Sequence, residues 1–376
     1  MIFEDKYLFT PGPLTTSQTV KAAMARDLGS RDTEFIQVVK TIRQDLVKLA
    51  GVDLDYKYDS VLMQGAGTFG VESIISTVIP EDGHLLVIKN GAYGQRIENM
   101  AKVHSIKTSV LAFSEDEIPQ AEIVKEFLKD NTDVTHVAIV HCETTTGIFN
   151  ELNAIGGIVK QAGAVYMVDA MSSFGAVPID MLRAGIDYLI SSSNKCIEGV
   201  PGFSFIIFNK EDLNKCKGQS RTLSLDLYEQ WTALESNGQF RFTPPIQSIL
   251  AFHQAIKELI AEGGVKARAA RYKNNHKVLM EGMTNLGFIP YLKSEVQGYI
   301  ISSFLFPEND SFDFNVFYNF LNERGLVIYP GKLTQADCFR IGNIGQLHQK
   351  QLITLIETIE LAIDQLGIEL VQTQNK

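Results

Sequence analysis

Cysteine is scarce and scattered in this sequence. The four in 376 residues are Cys142, Cys196, Cys216 and Cys338, and no two form a C-x-x-C pair. That spacing excludes a zinc ribbon and a disulfide framework. Each reads as a small buried side chain, with a reactive thiol the alternative only at Cys196, beside Lys195. Long apolar runs are missing too. Phe203–Phe208 is among the longest, far too short to span a bilayer. Met1-Ile-Phe-Glu-Asp-Lys-Tyr brings acids in at once, unlike a signal peptide. There is no excess of positive charge: the formal net charge of −10 argues against a general nucleic-acid binder. Internal repeats, low-complexity tracts and long linkers are also absent. The expectation is a cytoplasmic protein with no metal and no nucleic-acid or membrane partner.

What is present is ordinary for a soluble globular chain: 45% hydrophobic and 21% charged residues. The length allows two domains and a large core. Apolar runs read as strands at Ser60–Met63, Leu85–Ile88, Thr108–Ala112, Val134–Val140, Val165–Val168, Tyr188–Ile190 and Phe203–Phe208. Amphipathic helices fall between most of them, near Val71–Ile79, Ile118–Leu128 and Ala154–Ala162. This alternation predicts an α/β fold with a mostly parallel sheet and ligands at the carboxyl ends of its strands. After about residue 245 the pattern changes to long helices interrupted at Gly263-Gly264, then short strands and a final helix. The expected division is a large domain over 1–245 and a small α+β domain over 246–376.

Val61–Ser73, VLMQGAGTFGVES, places a literal G-x-G-x-x-G between a strand and a helix. A dinucleotide site needs an acid about 20 residues on, at the end of the next strand, to hold a ribose. That strand ends Val87-Ile88-Lys89-Asn90-Gly91, without one. The Gly-Lys-Ser/Thr of a nucleoside-triphosphate loop is missing as well. The turn keeps its backbone amides, the Thr68 hydroxyl and a helix start, which suit a lone phosphate monoester. A tight turn with no ligand is the plainer alternative.

Further on, VYMVDAMSSFG ends a strand at Asp169, and YLISSSNKCIEGVPG carries Ser193-Asn194-Lys195 beyond the next. A lysine and an acid on one sheet edge fit pyridoxal phosphate, which needs a lysine to hold its aldehyde and an acid at its ring nitrogen. The glycine turn supplies an anion cradle, and Tyr93 in NGAYGQR a face for the ring. Taken singly, Asp169 also suits a helix cap, Lys195 a solvated loop and Tyr93 the core. Their succession at strand ends favours the joint reading.

At these residues the sequence resembles the class V aminotransferases, of the fold type I pyridoxal-phosphate enzymes. LFTPGP, NGAYGQR, HCETTTG, VDAMSSFG, SSNKCIEGVPG and FRIGNIG occur in family order across nearly the whole chain. GSRDTEF, QGAGTFGVES, HCETTTGIFN, Asn194-Lys195-Cys196 and RFTPP look like the branch that acts on an aminophosphonate. The resemblance implies a large seven-stranded sheet domain with a smaller carboxy-terminal domain. It makes Lys195 the Schiff-base lysine and Asp169 the partner of the pyridine nitrogen. It implies that Ala66, Gly67, Thr68 and Ser193 bind phosphate, that Tyr93 stacks on the ring and that Thr144 bonds near the phenolic oxygen. Thr243 would reach a neighbouring subunit's cofactor, implying a homodimer with shared sites. Arg340 would receive the substrate's anionic end, with Arg31 a second contact or else a surface ion pair with Asp27 or Glu34. Family members often carry serine where this chain has Ala66. The implied reaction converts 2-aminoethylphosphonate and pyruvate to phosphonoacetaldehyde and L-alanine. The rivals are alanine or serine with glyoxylate in the same family, and a nucleotide-dependent oxidoreductase.

Overall fold

The computed structural model describes residues 5–52, 57–308, 312–331, 333 and 336–370. Met1–Glu4, part of the segment on which the leader reading rests, lies outside them.

Seven strands form the main sheet: β1 (Tyr58–Gln64), β2 (His84–Lys89), β3 (Lys107–Ala112), β4 (His136–Val140), β5 (Val165–Asp169), β6 (Tyr188–Ser192) and β7 (Phe203–Asn209). Their spatial order is β1-β7-β6-β5-β4-β2-β3. Only β7 is antiparallel to its neighbours, and the remaining pairs are parallel. The carboxyl ends of the other six strands therefore share one edge. Central strands such as β4 and β6 are buried along their whole length. This is why they read as unbroken apolar runs: a sheet covered on both faces has no solvent side to alternate with. All seven expected strands are present, shifted by at most two residues at either end.

Two helices matter for the site. Helix α1 (Gly67–Val78) follows β1, and α2 (Ala92–Val103) follows β2. Both begin at the ligand edge, so their first amides face it.

Core membership departs from the expected boundary at 245/246. Helix α3 (Ile246–Glu262) sends Ile249, Phe252, Ile256 and Leu259 into the core of the large sheet. Phe252 meets Phe203 edge-on at 5.1 Å. The break comes one helix later, at Gly263, where φ of +110° ends α3 and starts α4 (Gly264–Asn285). A second core joins Leu279 and Met283 of α4, Phe304 of β8 (Ile301–Leu305), Phe339 of β10 (Cys338–Gly342) and Leu355 of α5 (Gln349–Leu366). The short strand β9 (Tyr329–Pro330) pairs with β10. The amino-terminal arm crosses to this smaller unit: Tyr7–Leu8 pairs with Leu326–Val327, and Phe9 is wholly buried in its core.

Where the units meet lies a buried ionic cluster. Glu198, in left-handed conformation at φ +68°, accepts from Arg271 Nη2 at 2.7 Å, Tyr272 OH at 2.5 Å and Gln346 Nε2 at 2.9 Å. Arg268 adds Nη1 at 3.2 Å to Glu198, and its Nε reaches Glu262 at 2.6 Å.

Candidate active site

A cavity of about 200 Å³ opens at the carboxyl edge of the sheet, between the ends of β1, β4, β5 and β6. Its floor is the start of α1. Ala66 occupies the N-cap position and has no side-chain oxygen to close the helix. The amides of Gly67 and Thr68 have no intrahelical acceptor at that position, so they are donors open to an anion. Gly67 packs closely against Met171: a Cβ on it would lie 2.2 Å from the sulfur, so that side chain would have to move. All three cradle residues line the cavity.

Asp169 ends β5 and also lines the cavity. Its Oδ1 accepts the Met171 amide at 2.9 Å. Burial pushes its carboxyl up to about 6, against the Met171 hydrogen bond and the charges of Arg96 and Lys195, which pull it down. Lys195 is enclosed by protein except where it lines the cavity, and burial draws its pKa below that of an ordinary lysine. The free amine, the nucleophilic form, is thereby favoured. Its Nζ donates to the Pro11 carbonyl. The amino-terminal LFTPGP segment thus lies across the lysine, and Gly12, at φ +117°, would put a Cβ 2.8 Å from Nζ.

Tyr93 lies on the first turn of α2 and forms part of the wall, as does Thr144. Glu143, fully buried, ties the start of α2 to the turn that follows Thr144. Its carboxylate accepts the Tyr93 amide at 3.1 Å, the Gly94 amide at 3.3 Å and the Thr145 hydroxyl at 2.7 Å. Burial nevertheless raises its pKa to about 7. The sequence reading passed over Glu143. Its signal was an acid in HCETTTG three residues beyond the end of a buried, mostly apolar strand, a place where a carboxylate needs a dedicated partner.

Four expected residues are placed differently from one another. Ser193 does not face the cavity: its hydroxyl donates to the Val200 carbonyl at 2.6 Å, and the cavity is lined by Ser192 and Asn194 instead. The strand ends at Ser192, and the chain turns at Ser193-Asn194, so the Ser193 side chain is carried away from the cavity to the Val200 carbonyl. Arg340, on β10, is 1% exposed and sits behind Thr144. It donates Nη1 to the Thr144 carbonyl at 2.8 Å and Nε to the Pro330 carbonyl at 3.0 Å. Burial lowers its pKa, and the Tyr93 phenol beside it opposes that shift. Thr243 and Arg31 are both exposed and lie outside this cavity. They share a surface hollow with Arg241. Arg31 forms no ion pair with Asp27 or Glu34; Glu34 is taken by Arg26 at 2.8 Å. Arg96 lines the cavity beside Thr68 and was not among the expected residues.

The sequence profile described as Aminotransferase class-V matches residues 15–344. A 2-aminoethylphosphonate--pyruvate transaminase of Phocaeicola vulgatus is 53% identical over 355 residues, covering 94% of this chain and 98% of that one. One from Bacteroides fragilis is 50% identical, covering 94% and 97%. Among solved structures, the ureidoglycine-glyoxylate aminotransferase of Bacillus subtilis superposes with a TM-score of 0.90 at 19% identity, over 100% of this chain and 97% of that one. The chain belongs to the class-V aminotransferases.

Proposed function

We propose that this chain transfers the amino group of 2-aminoethylphosphonate to pyruvate, giving phosphonoacetaldehyde and L-alanine, with pyridoxal phosphate as cofactor. The observation that carries the reading is identity of about one half, over nearly the full length, to relatives named for that reaction.

The cavity meets the demands of the cofactor. A phosphate would meet the open amides of Gly67 and Thr68 and the Thr68 hydroxyl. The ring would lie against Tyr93, its nitrogen towards Asp169 and its aldehyde towards Lys195. Thr144 would stand near its phenolic oxygen. When bound, the group serves as an electron sink for the bond broken at the substrate's amine-bearing carbon. The chain's own residues do the rest. Lys195, whose burial favours the free amine, would hold the cofactor and then carry a proton at Nζ. Asp169, its carboxyl at about 6 and so largely ionised at neutral pH, would sustain positive charge on the ring nitrogen. Arg340 offers a planar fork to a phosphonate in one half-reaction and a carboxylate in the other, which an ammonium cannot match. Arg31 is a second candidate for that anionic end, from a neighbouring copy.

A screen of amino donors with pyruvate tests the reading. 2-Aminoethylphosphonate should exceed alanine, serine and phosphoserine in kcat/KM. Preference for alanine or serine with glyoxylate would move the chain to another branch of the same family.

A homodimer with shared sites is part of the reading; what supports it is that Thr243 is exposed on the surface hollow, outside its own chain's cavity. Phe69, Phe242 and Leu223 are 49%, 45% and 75% exposed. Phe242 lines the hollow; Gln64 Nε2 holds its carbonyl at 2.9 Å, and Arg241 Nη1, from the same hollow, holds the Leu223 carbonyl at 3.0 Å. Large apolar side chains gathered at a surface favour a protein partner. Thr243→Ala should lower cofactor affinity without dissociating the dimer, and a fully active monomer in dilute solution would contradict the shared site. For localisation we keep the cytoplasm, a reading supported by four free, buried cysteines. Among the described residues no helix is long and apolar enough to cross a membrane.

A further inference from the structure

Arg96 stands one helical turn after Tyr93 on α2, and its guanidinium carbon lies 4.8 Å from the centre of the Tyr93 ring. Its Nη1 donates to the Thr68 hydroxyl at 3.1 Å. Among the described residues no carboxylate comes within ion-pair reach of it, and its remaining N–H groups have no protein acceptor.

The chain's other deeply placed arginines are not left in this state. Arg43 reaches Asp59 and Glu235, each at 2.7 Å. Arg268 and Arg271 share Glu198 and Glu262. Arg221 and Arg340 each hold two main-chain carbonyls. A half-buried guanidinium with a single neutral acceptor is poorly compensated unless an anion completes it. The cavity beside it has an anion-seeking floor: two open amides at a helix start and a hydroxyl, with Ala66 adding no side-chain donor.

We propose that Arg96 is a phosphate-binding residue of this site, its free N–H groups pairing with the phosphate monoester of the cofactor while its Nη1 bond orients the Thr68 hydroxyl. The proposal rests on the pyridoxal-phosphate reading above. It goes beyond that reading by giving the cradle a fixed positive charge. The same guanidinium spreads over the Tyr93 ring on the other side, so one side chain braces the aromatic contact and the anion contact together. Two phosphorus anions pass through this cavity, the cofactor's phosphate and the substrate's phosphonate. Contact with Thr68 at the start of α1 selects the first, whereas the phosphonate belongs at Arg340.

The test compares pyridoxal phosphate with pyridoxal, which has the same ring and aldehyde and no phosphate. Both are titrated into the full-length chain stripped of cofactor, with binding read from absorbance. Arg96→Gln should weaken pyridoxal phosphate about 10- to 100-fold, the scale of a charged hydrogen bond, while pyridoxal changes less than about threefold. Inorganic phosphate, used as a competitor, should lose affinity in parallel. Arg96→Lys should fall between, keeping the charge and losing the fork. An equal loss for both ligands would assign Arg96 to holding Tyr93 alone and overturn the proposal. So would an unchanged ratio accompanied by a raised KM for 2-aminoethylphosphonate, which would give Arg96 to the substrate. Should Arg96→Gln not fold, the ratio in Arg96→Lys decides, and a change below about twofold overturns the proposal. A wild-type chain that binds neither compound would instead sink the cofactor reading itself.

Discussion

Two buried groups of charges lie close together in this molecule, and they are built on opposite principles. At the junction of the two units, Glu198 alone receives hydrogen bonds from Arg271, Tyr272 and Gln346, and Glu262 holds the far sides of both arginines. In the cavity, Lys195 has a main-chain carbonyl, Asp169 one amide and Arg96 one hydroxyl. Lys195 and Glu198 are nevertheless near neighbours along the chain. Saturated charges fix a geometry, whereas under-partnered charges beside open space are an unfinished set that a ligand completes. The saturated cluster also serves the other: the Glu198 amide donates to the Lys195 carbonyl at 2.8 Å, and Arg268 Nη1 holds the Cys196 carbonyl at 2.6 Å. The lysine's backbone is thus clamped by groups that take no part in the chemistry.

The largest expected effect sets the two groups against each other directly. Lys195→Met should reduce transamination at least about 10²- to 10⁴-fold, the range for losing a positioned proton carrier, and should abolish the visible absorption of the bound cofactor. Its cofactor-free unfolding free energy should stay level or rise, since the enclosed amine has no counter-ion to lose. Glu198→Ala should lose about 3–5 kcal/mol in the same denaturant titration, because it removes the buried carboxylate that two guanidinium groups share and leaves them Glu262 alone. Equal stability of the two variants would dissolve the distinction.

Next in size is Arg340→Ala, which sharpens the comparison because this arginine is partly saturated and yet proposed to receive the substrate. Removing one partner of a desolvated charge pair costs about 2–5 kcal/mol. The variant should lose roughly 30- to several-thousand-fold in kcat/KM for both 2-aminoethylphosphonate and pyruvate, and keep its cofactor absorption. Unaltered kinetics with both substrates would move the anion site, with Arg31 the next candidate.

Asp169 gives a pH-dependent contrast. In the folded cofactor-free chain its carboxyl is raised by burial from 3.8 to about 6. Between those values the folded state holds a proton that the unfolded chain has released. Stability contributed by this group is therefore lost as pH rises through that window, by roughly 3 kcal/mol at most, and stays lost above it. An asparagine in its place, able to accept the Met171 amide, carries no such loss. Asp169→Asn should gain on the wild type between about pH 4 and pH 6 in cofactor-free unfolding, then run parallel. Parallel curves throughout would mean that Asp169 is better solvated than its position implies. The smallest effect belongs to Arg31→Ala. As an exposed residue without an ion pair it should shift stability by no more than about 0.5 kcal/mol, so a rise in KM would support its proposed contact with a neighbouring copy.

The chain's local chemistry determined a good deal by itself. The seven strands follow from apolar runs of strand length. Asp169 and Lys195 could be assigned to one edge because parallel α/β strands all deliver their carboxyl ends there. Gly65 to Gly70 marked the start of α1, because only a glycine-rich turn lets backbone amides open towards an anion.

Tertiary structure decided the rest. That Phe252 and its helix join the large core, and Phe9 the small one, depends on which apolar face finds which partner, and α3 is amphipathic enough for either. That Ser192 and not Ser193 faces the cavity depends on where β6 ends and the chain turns. The contact of Gly12 with Lys195 and the position of Arg340 behind Thr144 join residues 183 and 196 positions apart. Arg96 could be read as one more charge on an amphipathic helix until α1 and α2 packed side by side. Periodicity records how a residue sits on its own element, but a side chain's partner is fixed only when two elements meet, and hydrogen bonds reaching about 3 Å cannot be resolved by a pattern whose unit is a turn of helix.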